Sequence, residues 1–344
     1  ESKMQDTYKA LESKALESKA LEKASNSSLE TTEEEQEENV FLLPLSFAQQ
    51  RMWFMERLQP EKCLYNLAFP TRLTGRVNVA ALEKSFNAIT ERHETLRTTF
   101  TLVEGQPMQV IAQSQKIKLP IIELCHFSQA EQTARVDELI KAHAQQVFDL
   151  KSGPLLRVGL IQLNDTESIL LLTAHHIVFD GWSMGIFLKE LEGFYDAFCG
   201  DQSFPLPELP IQYGDFAVWQ RNRLQGDTLE THAAYWQEKL SGTLPVLALP
   251  CDRPRPKSQT YAGAVDLFSL PKPLTQALLA FAQREGSTLF MVLLTAFNIL
   301  LYRYSGQEDL LVGTPIANRN QAEIEGLIGV FINTLVLRSD LSGN

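Results

Sequence analysis

A mixed α/β fold in two lobes is what this sequence predicts, and three observations carry that expectation. At 344 residues the chain exceeds one small domain, and length favours two. Strand-like apolar runs alternate with segments of helical periodicity over residues 41–205, and again over 261–344. Between them, residues 206–260 carry Pro207, Pro210, Pro245, Pro250, Pro254 and Pro256, which marks a crossover segment.

The elements follow in order. Residues 1–40 read as a solvated tail or linker. They repeat Leu11-Glu12-Ser13-Lys14-Ala15 as Leu16-Glu17-Ser18-Lys19-Ala20, and end in an acidic run around Glu33–Glu38. The composition favours helix, but a five-residue step advances the leucines by about 140° per repeat, so no continuous stripe forms. Order is expected from Phe41. Ser46 and Gln49 fit a capping box at the head of a helix through Arg51, Trp53 and Phe54. Residues 67–73 read as a strand. Asn78 caps a helix whose Leu82, Phe86 and Ile89 share a face. Strands are expected near 96–103, 107–112 and 155–163, with a helix at about 128–147. The run Ile169–Ala174 is a buried strand. A helix with Ile186, Phe187, Leu191, Phe194, Tyr195 and Phe198 inward follows it and closes the first lobe. Short helices at 212–224 and 229–240 sit in the crossover. The second lobe is read as a strand from Ala264, helices at 273–285 and 287–304, and strands at 309–313 and 330–338.

Bulk properties exclude several classes. The net charge is −11, and residues 1–40 hold 11 acidic and 5 basic side chains, so no basic surface is left to offset nucleic-acid phosphates. No run reaches the roughly 18–20 apolar residues of a membrane span, and Glu1–Met4 lacks the features of a signal peptide. The first residue is not Met, as in a piece of a longer protein. Cys63, Cys125, Cys199 and Cys251 are scattered, without metal-ligand spacing. Free thiols in the cytoplasm, with no zinc site, are expected.

The chemistry concentrates in His175-His176-Ile177-Val178-Phe179-Asp180-Gly181. Neighbouring strand residues point to opposite faces, so one histidine is held inside while the other faces a cleft; His176, nearer the loop, is the candidate for the cleft. A neutral imidazole offers a lone pair to an incoming nucleophile. Asp180 either orients that imidazole or pins the loop by pairing with a distant arginine. Gly181 admits close approach of a ligand and can offer an N–H to a developing oxyanion. A Ser-His-Asp triad fails for want of a Gly-x-Ser-x-Gly elbow, and no third ligand supports a metal.

With these residues stated, the chain resembles a condensation domain of nonribosomal peptide synthetases, in the chloramphenicol-acetyltransferase-like superfamily. The resemblance runs in order through Ser46–Trp53, Arg92–Phe100, His175–Ser183, Tyr213–Trp219 and Ile328–Thr334. The first of these is similar to the subtype joining two L-residues. The resemblance implies two such lobes in a V with a tunnel between them, the second lobe incomplete because the family pattern continues beyond its fifth motif. It implies peptide-bond formation by acyl transfer in secondary-metabolite (antibiotic) biosynthesis. Donor and acceptor peptidyl carrier domains deliver thioesters on 4'-phosphopantetheine arms, an adenylation domain adjoins, and the domain is a monomer that binds no cofactor of its own. His176 falls on the family's key histidine, grouped with His175, Asp180 and Gly181 as the catalytic motif. Asp180 is then mainly structural and paired with Arg319. Trp182, Ser183 and Asn333 are placed on the tunnel. For Asn333, an amide in an apolar strand, a satisfied core amide is an equal alternative. Arg92, Glu94 and Arg97 are read as ion pairs, and Trp53, Tyr213 and Trp219 as core. Coenzyme A acyltransferases, epimerisation domains and heterocyclisation domains fit the motifs less well. The rival of another class is a non-catalytic docking module of the same fold.

Overall fold

The protein is described by a computed structural model covering residues 40–59, 62–254, 256, 257, 259, 261 and 263–343. The expected tail at 1–40 lies outside the described residues except for Val40.

The chain divides into two units. The first comprises the chain through Gln225 together with Ala317–Ile332, and the second Gly226–Ile316 with Asn333–Asn344. Two differences from the expected boundaries stand out. Residues 226–260 go with the second unit because they are stitched to it: Gln307 bonds Ala248 N and Val246 O, and Arg338 bonds the carbonyls of Lys239 and Ser241. Residues 317–332 go with the first unit because Leu327, Ile328, Val330 and Phe331 are buried in its core.

In the first unit, β1 (Phe41–Pro44) pairs with β5 (Gln106–Ile111), which also pairs with β4 (Thr98–Val103), making a three-stranded antiparallel sheet. The larger sheet is built on the hairpin of β7 (Leu156–Asn164) and β8 (Glu167–His175), with β6 (Ile121–Glu123) parallel to β7. The expected strand at 67–73 is two strands, β2 (Asn66–Ala68) and β3 (Thr71–Thr74), both pairing with β8. Pro70 lies in the gap, since it has no N–H to give the ladder.

Helices α1 (Phe47–Leu58), α2 (Val79–Arg92), α3 (Gln129–Gln145), α4 (Gly181–Cys199) and α5 (Tyr213–Arg223) pack around these sheets. Ser46 closes a full capping box on α1 with Gln49, and Asn78 caps α2 through Ala81 N. A 3-10 turn at Glu94–Arg97 replaces the expected start of β4. Phe187 and Leu191 of α4 are buried and Ile186, Phe194 and Tyr195 partly so, but Phe198, expected inward, is exposed and stacks on Phe194. At its foot the core holds Phe86, Phe179, Tyr213, Phe216 and Phe331.

The second unit carries α6 (Gly226–Lys239), α7 (Lys272–Arg284) and α8 (Leu289–Ser305), with β9 (Asp309–Ile316) antiparallel to β10 (Asn333–Asp340). The strand expected from Ala264 is absent among the described residues. The strand expected from residue 330 starts at Asn333, because 330–332 are committed to the first unit. Among the described residues no single helix is long and apolar enough to cross a membrane. None of the four cysteines forms a disulfide.

Candidate active site

β8 ends at His175, and the chain then turns through Ile177–Asp180 into α4. The alternation expected of a strand end holds for the two histidines. His175 is buried between α1 and the sheet. Its Nδ1 accepts the Ile177 N–H at 3.1 Å, so its protonated Nε2 donates to Glu56 Oε1, also at 3.1 Å. Burial pulls this imidazole below the usual histidine range, with the Glu56 carboxylate opposing. His175, grouped with the catalytic residues on sequence, thus has both nitrogens engaged inside the first unit. It holds the strand end and has no nitrogen left for a substrate.

His176 is half-buried. Its N–H bonds Tyr65 O at 2.8 Å, and its ring Nδ1 lies 2.7 Å from Phe179 O. A carbonyl can only accept, so Nδ1 carries the proton, and in the neutral ring the lone pair sits on Nε2. The short Ile177–Phe179 turn is what makes this possible, since its side chains Ile177, Val178 and Phe179 are fully buried and fix the carbonyl.

Asp180 is the N-cap of α4. Oδ1 accepts Ser183 N at 2.8 Å and Ser183 Oγ at 2.7 Å, and Oδ2 accepts Phe331 N at 3.0 Å. Arg319 Nη2 reaches Oδ1 at 3.2 Å, and both groups are buried. Of the two roles left open for Asp180, the structure shows the pairing with an arginine; no hydrogen bond joins Asp180 to the His176 ring. Arg319 also donates through Nη1 to the carbonyls of Ile324 and Leu327 at 2.7 and 2.6 Å, and lies over the Phe331 ring. Burial lowers the guanidinium's affinity for its proton, and the Asp180 carboxylate restores part of it. A cation and an anion removed from water need this many partners to be tolerated.

Ser183 requires a correction. Expected on the tunnel, it is instead fully buried, and its hydroxyl donates to Asp180 while accepting from Gly329 N and Arg319. A hydroxyl so fully bonded presents nothing to a substrate. Trp182 is 49% exposed and donates to Glu325 O at 3.1 Å. A Cβ at Gly181 would meet nothing within 4 Å, so the first turn of α4 leaves open room beside the motif. Asn333 is exposed at the first position of β10, where its Oδ1 accepts Thr334 N; the alternative of a core amide is set aside by that exposure.

Several residues that build the site were missed on sequence. Glu56 shares a face of α1 with Gln49 and Met52, and a carboxylate on an inward face was a readable signal. Glu190 lies between Phe187 and Leu191 on the buried side of α4 and binds Arg92 and His93 at 3.0 and 2.9 Å. Arg97, by contrast, pairs with Glu94 as the sequence reading of Arg92, Glu94 and Arg97 as ion pairs expects, and the Glu94 carboxyl is raised mainly by burial. Tyr213, read only as core, is fully buried and donates its hydroxyl to Val330 O at 2.6 Å. Burial pushes that phenol up, well out of the range where it would ionise. Among the described residues no group of three His, Cys, Asp or Glu side chains is placed to hold a metal ion.

The motif thus brings together a half-buried imidazole whose Nδ1 is bonded to a backbone carbonyl and a capped helix start. The family model of the condensation domain matches residues 41–344, and the chain belongs to that family. It is 52% identical over 301 residues to one of the proteins that make up linear gramicidin synthase in Brevibacillus parabrevis, covering 88% of this chain and 4% of that protein. It is 44% identical over 296 residues to phosphinothricin tripeptide synthetase PhsC of Streptomyces viridochromogenes, covering 86% of this chain and 27% of that one. The chain therefore spans only a small part of these relatives. Among solved structures, the X-domain in complex with OxyB from teicoplanin biosynthesis superposes with a TM-score of 0.77 at 27% identity, over 92% of this chain and 67% of that one. A four-domain nonribosomal peptide synthetase bound to AMP and glycine shares the fold, with a TM-score of 0.76 at 22% identity, over 93% of this chain and 23% of that one.

Proposed function

We propose that this condensation domain forms a peptide bond between two carrier-bound substrates, with His176 at the reacting atoms. The observation that carries the reading is the 2.7 Å bond from His176 Nδ1 to Phe179 O, which leaves Nε2 as the acceptor. A donor carrier brings an acyl or peptidyl thioester on its 4'-phosphopantetheine arm, and an acceptor carrier brings an aminoacyl thioester. The acceptor's α-amine attacks the donor carbonyl; the C–N bond forms, the C–S bond breaks, and the donor's thiol sulfur leaves with a proton while the amine loses one. Nε2 accepts a hydrogen bond from the amine and aims it. An α-amino group has a pKa of roughly 7.7–8.0, so a useful fraction is neutral near pH 8, and orientation can supply much of the acceleration. The Gly181 N–H, at the head of α4, faces the developing oxyanion. Trp182, exposed at the head of α4, lines the path of an arm. Asp180 and Arg319 hold the loop. An adenylation domain of the same synthetase loads the acceptor carrier.

The test is amide formation between two loaded carriers, read by mass spectrometry of the acceptor arm. His176→Ala is expected to lower the rate by about 10²–10⁴-fold. The X-domain relative, found in complex with OxyB, favours one second reading: a partner-docking module of the same fold. Carrier binding without product, in parent and variant alike, would establish that reading instead.

A further inference from the structure

Asp180 Oδ2 binds Phe331 N–H, and Tyr213 Oη donates to Val330 O. These are the two ends of a single peptide unit. On the far side, Ser46 Oγ lies 2.8 Å from Tyr213 Oη and accepts Gln49 N at 3.1 Å, so the serine proton goes to the phenol oxygen. The result is one directed row: Ser46 O–H to Tyr213 O–H to the Val330–Phe331 peptide to the Asp180 carboxylate. Every donor in it points toward the anion, and hydrogen bonds aligned in this way polarise and strengthen one another. The row is buried, its members Ser46, Tyr213, Val330 and Asp180 being at most 2% exposed. Its last link is the cap of α4, one residue beyond the carbonyl that fixes the His176 ring.

We infer that Tyr213 is a positioning residue for His176, acting through the Val330–Phe331 peptide and Asp180 to set the Phe179 carbonyl. This rests on the role given to His176 above. Ring packing alone is a different role: Tyr213 also touches Phe216 and Phe331 edge-on or tilted, with centroids 5.6 and 5.0 Å away. Tyr213→Phe keeps the ring and removes only the hydroxyl, which separates the two.

The experiment uses the native full-length polypeptide with loaded carriers, comparing parent, Tyr213→Phe, Phe216→Leu and His176→Ala. Tyr213→Phe is expected to lower kcat about 10- to 100-fold with KM for the acceptor carrier unchanged. Phe216→Leu disturbs the same aromatic cluster, and its kcat stays at the parent value. In histidine-labelled protein, with His176 assigned by its loss in His176→Ala, the Nδ1–H proton signal shifts upfield in Tyr213→Phe and stays in place in Phe216→Leu. Parent kcat in Tyr213→Phe, or an equal loss in Phe216→Leu, overturns the inference, and so does an unmoved proton signal. Parent and His176→Ala reacting alike defeats the His176 reading instead. The proton signal still decides the role of Tyr213 in that case.

Discussion

Helices α4 and α8 are close in length, 19 and 17 residues, and both are rich in apolar side chains. In the first unit α4 buries Ser183, Phe187, Glu190, Leu191 and Ala197, and each buried polar group on it is bonded. In the second unit α8 buries Asn298 and Leu301 among the described residues. It leaves Phe290, Met291, Phe297, Ile299 and Leu300 exposed, and Asn298 Oδ1 has no partner among the described residues. The extended segment before α7 is similar, with Leu267 at 88% and Phe268 at 85% exposure. Apolar composition thus makes a helix without deciding what it buries. The motif loop is held by a dense set of polar bonds within the first unit, from Asp180, Ser183 and Arg319, although Arg319 Nε is left without a partner among the described residues. The second unit leaves a row of large apolar side chains of its longest helix exposed.

That contrast can be broken most easily where the bonds are densest. Arg319→Ala strands the buried Asp180 carboxylate, and the first unit is expected to lose about 3–5 kcal/mol in denaturant unfolding. A loss below about 1 kcal/mol would show that the network does not hold the unit together. Gly329→Ala comes next. An added Cβ would collide with the Tyr213 ring. The ring is locked between Ser46 and Val330, so the expected cost is about 1–3 kcal/mol by thermal or denaturant unfolding.

A smaller effect sharpens the comparison through pH. The folded pKa of His175 is depressed by burial, so the folded state binds fewer protons than the unfolded one. Its contribution to stability is complete above the unfolded histidine value of about 6.5, and is lost as pH falls below it. The melting-temperature gap between parent and His175→Gln is therefore expected to narrow from pH 7.5 to pH 5.5. A gap that widens on acidification would contradict a neutral, buried His175. The smallest effect belongs to α8. Phe297→Ser, on an exposed position, is expected to change stability by no more than about 0.5 kcal/mol. A loss of several kcal/mol would erase the distinction between the two helices.

Much of the frame was legible in the sequence because local rules set it. The capping box at Ser46, the Asn78 cap, the Leu82–Phe86–Ile89 face and the strand before His175 each depend on residues within a few positions of one another. The greater burial of His175 than of His176 agrees with the alternation expected at a strand end. Apart from the Asp180–Arg319 pair, which the family resemblance supplied, what could not be read were partners distant in sequence. Ser183 looks like any polar residue in the first turn of a helix, and only Gly329 and Arg319, far along the chain, make it a buried junction. Likewise, Ile328–Ile332 is apolar enough to pass for strand, and nothing nearby reveals that its peptides are claimed by His93, Ser183, Tyr213 and Asp180. The boundary between the units was misplaced for the same reason.

The bond from His176 Nδ1 to Phe179 O has one more consequence. A carbonyl accepts a hydrogen bond but has no proton to trade and is too weak a base to carry one off. The nearby carboxylate is no substitute, since Asp180 is occupied with the head of α4, Phe331 and Arg319. The imidazole is therefore a dead end for protons on its inner side: one that arrives at Nε2 must leave by Nε2. In the transfer proposed for this site, where Nε2 aims the amine, any proton it took up would have to go back out through the same face, to the departing sulfur or to water.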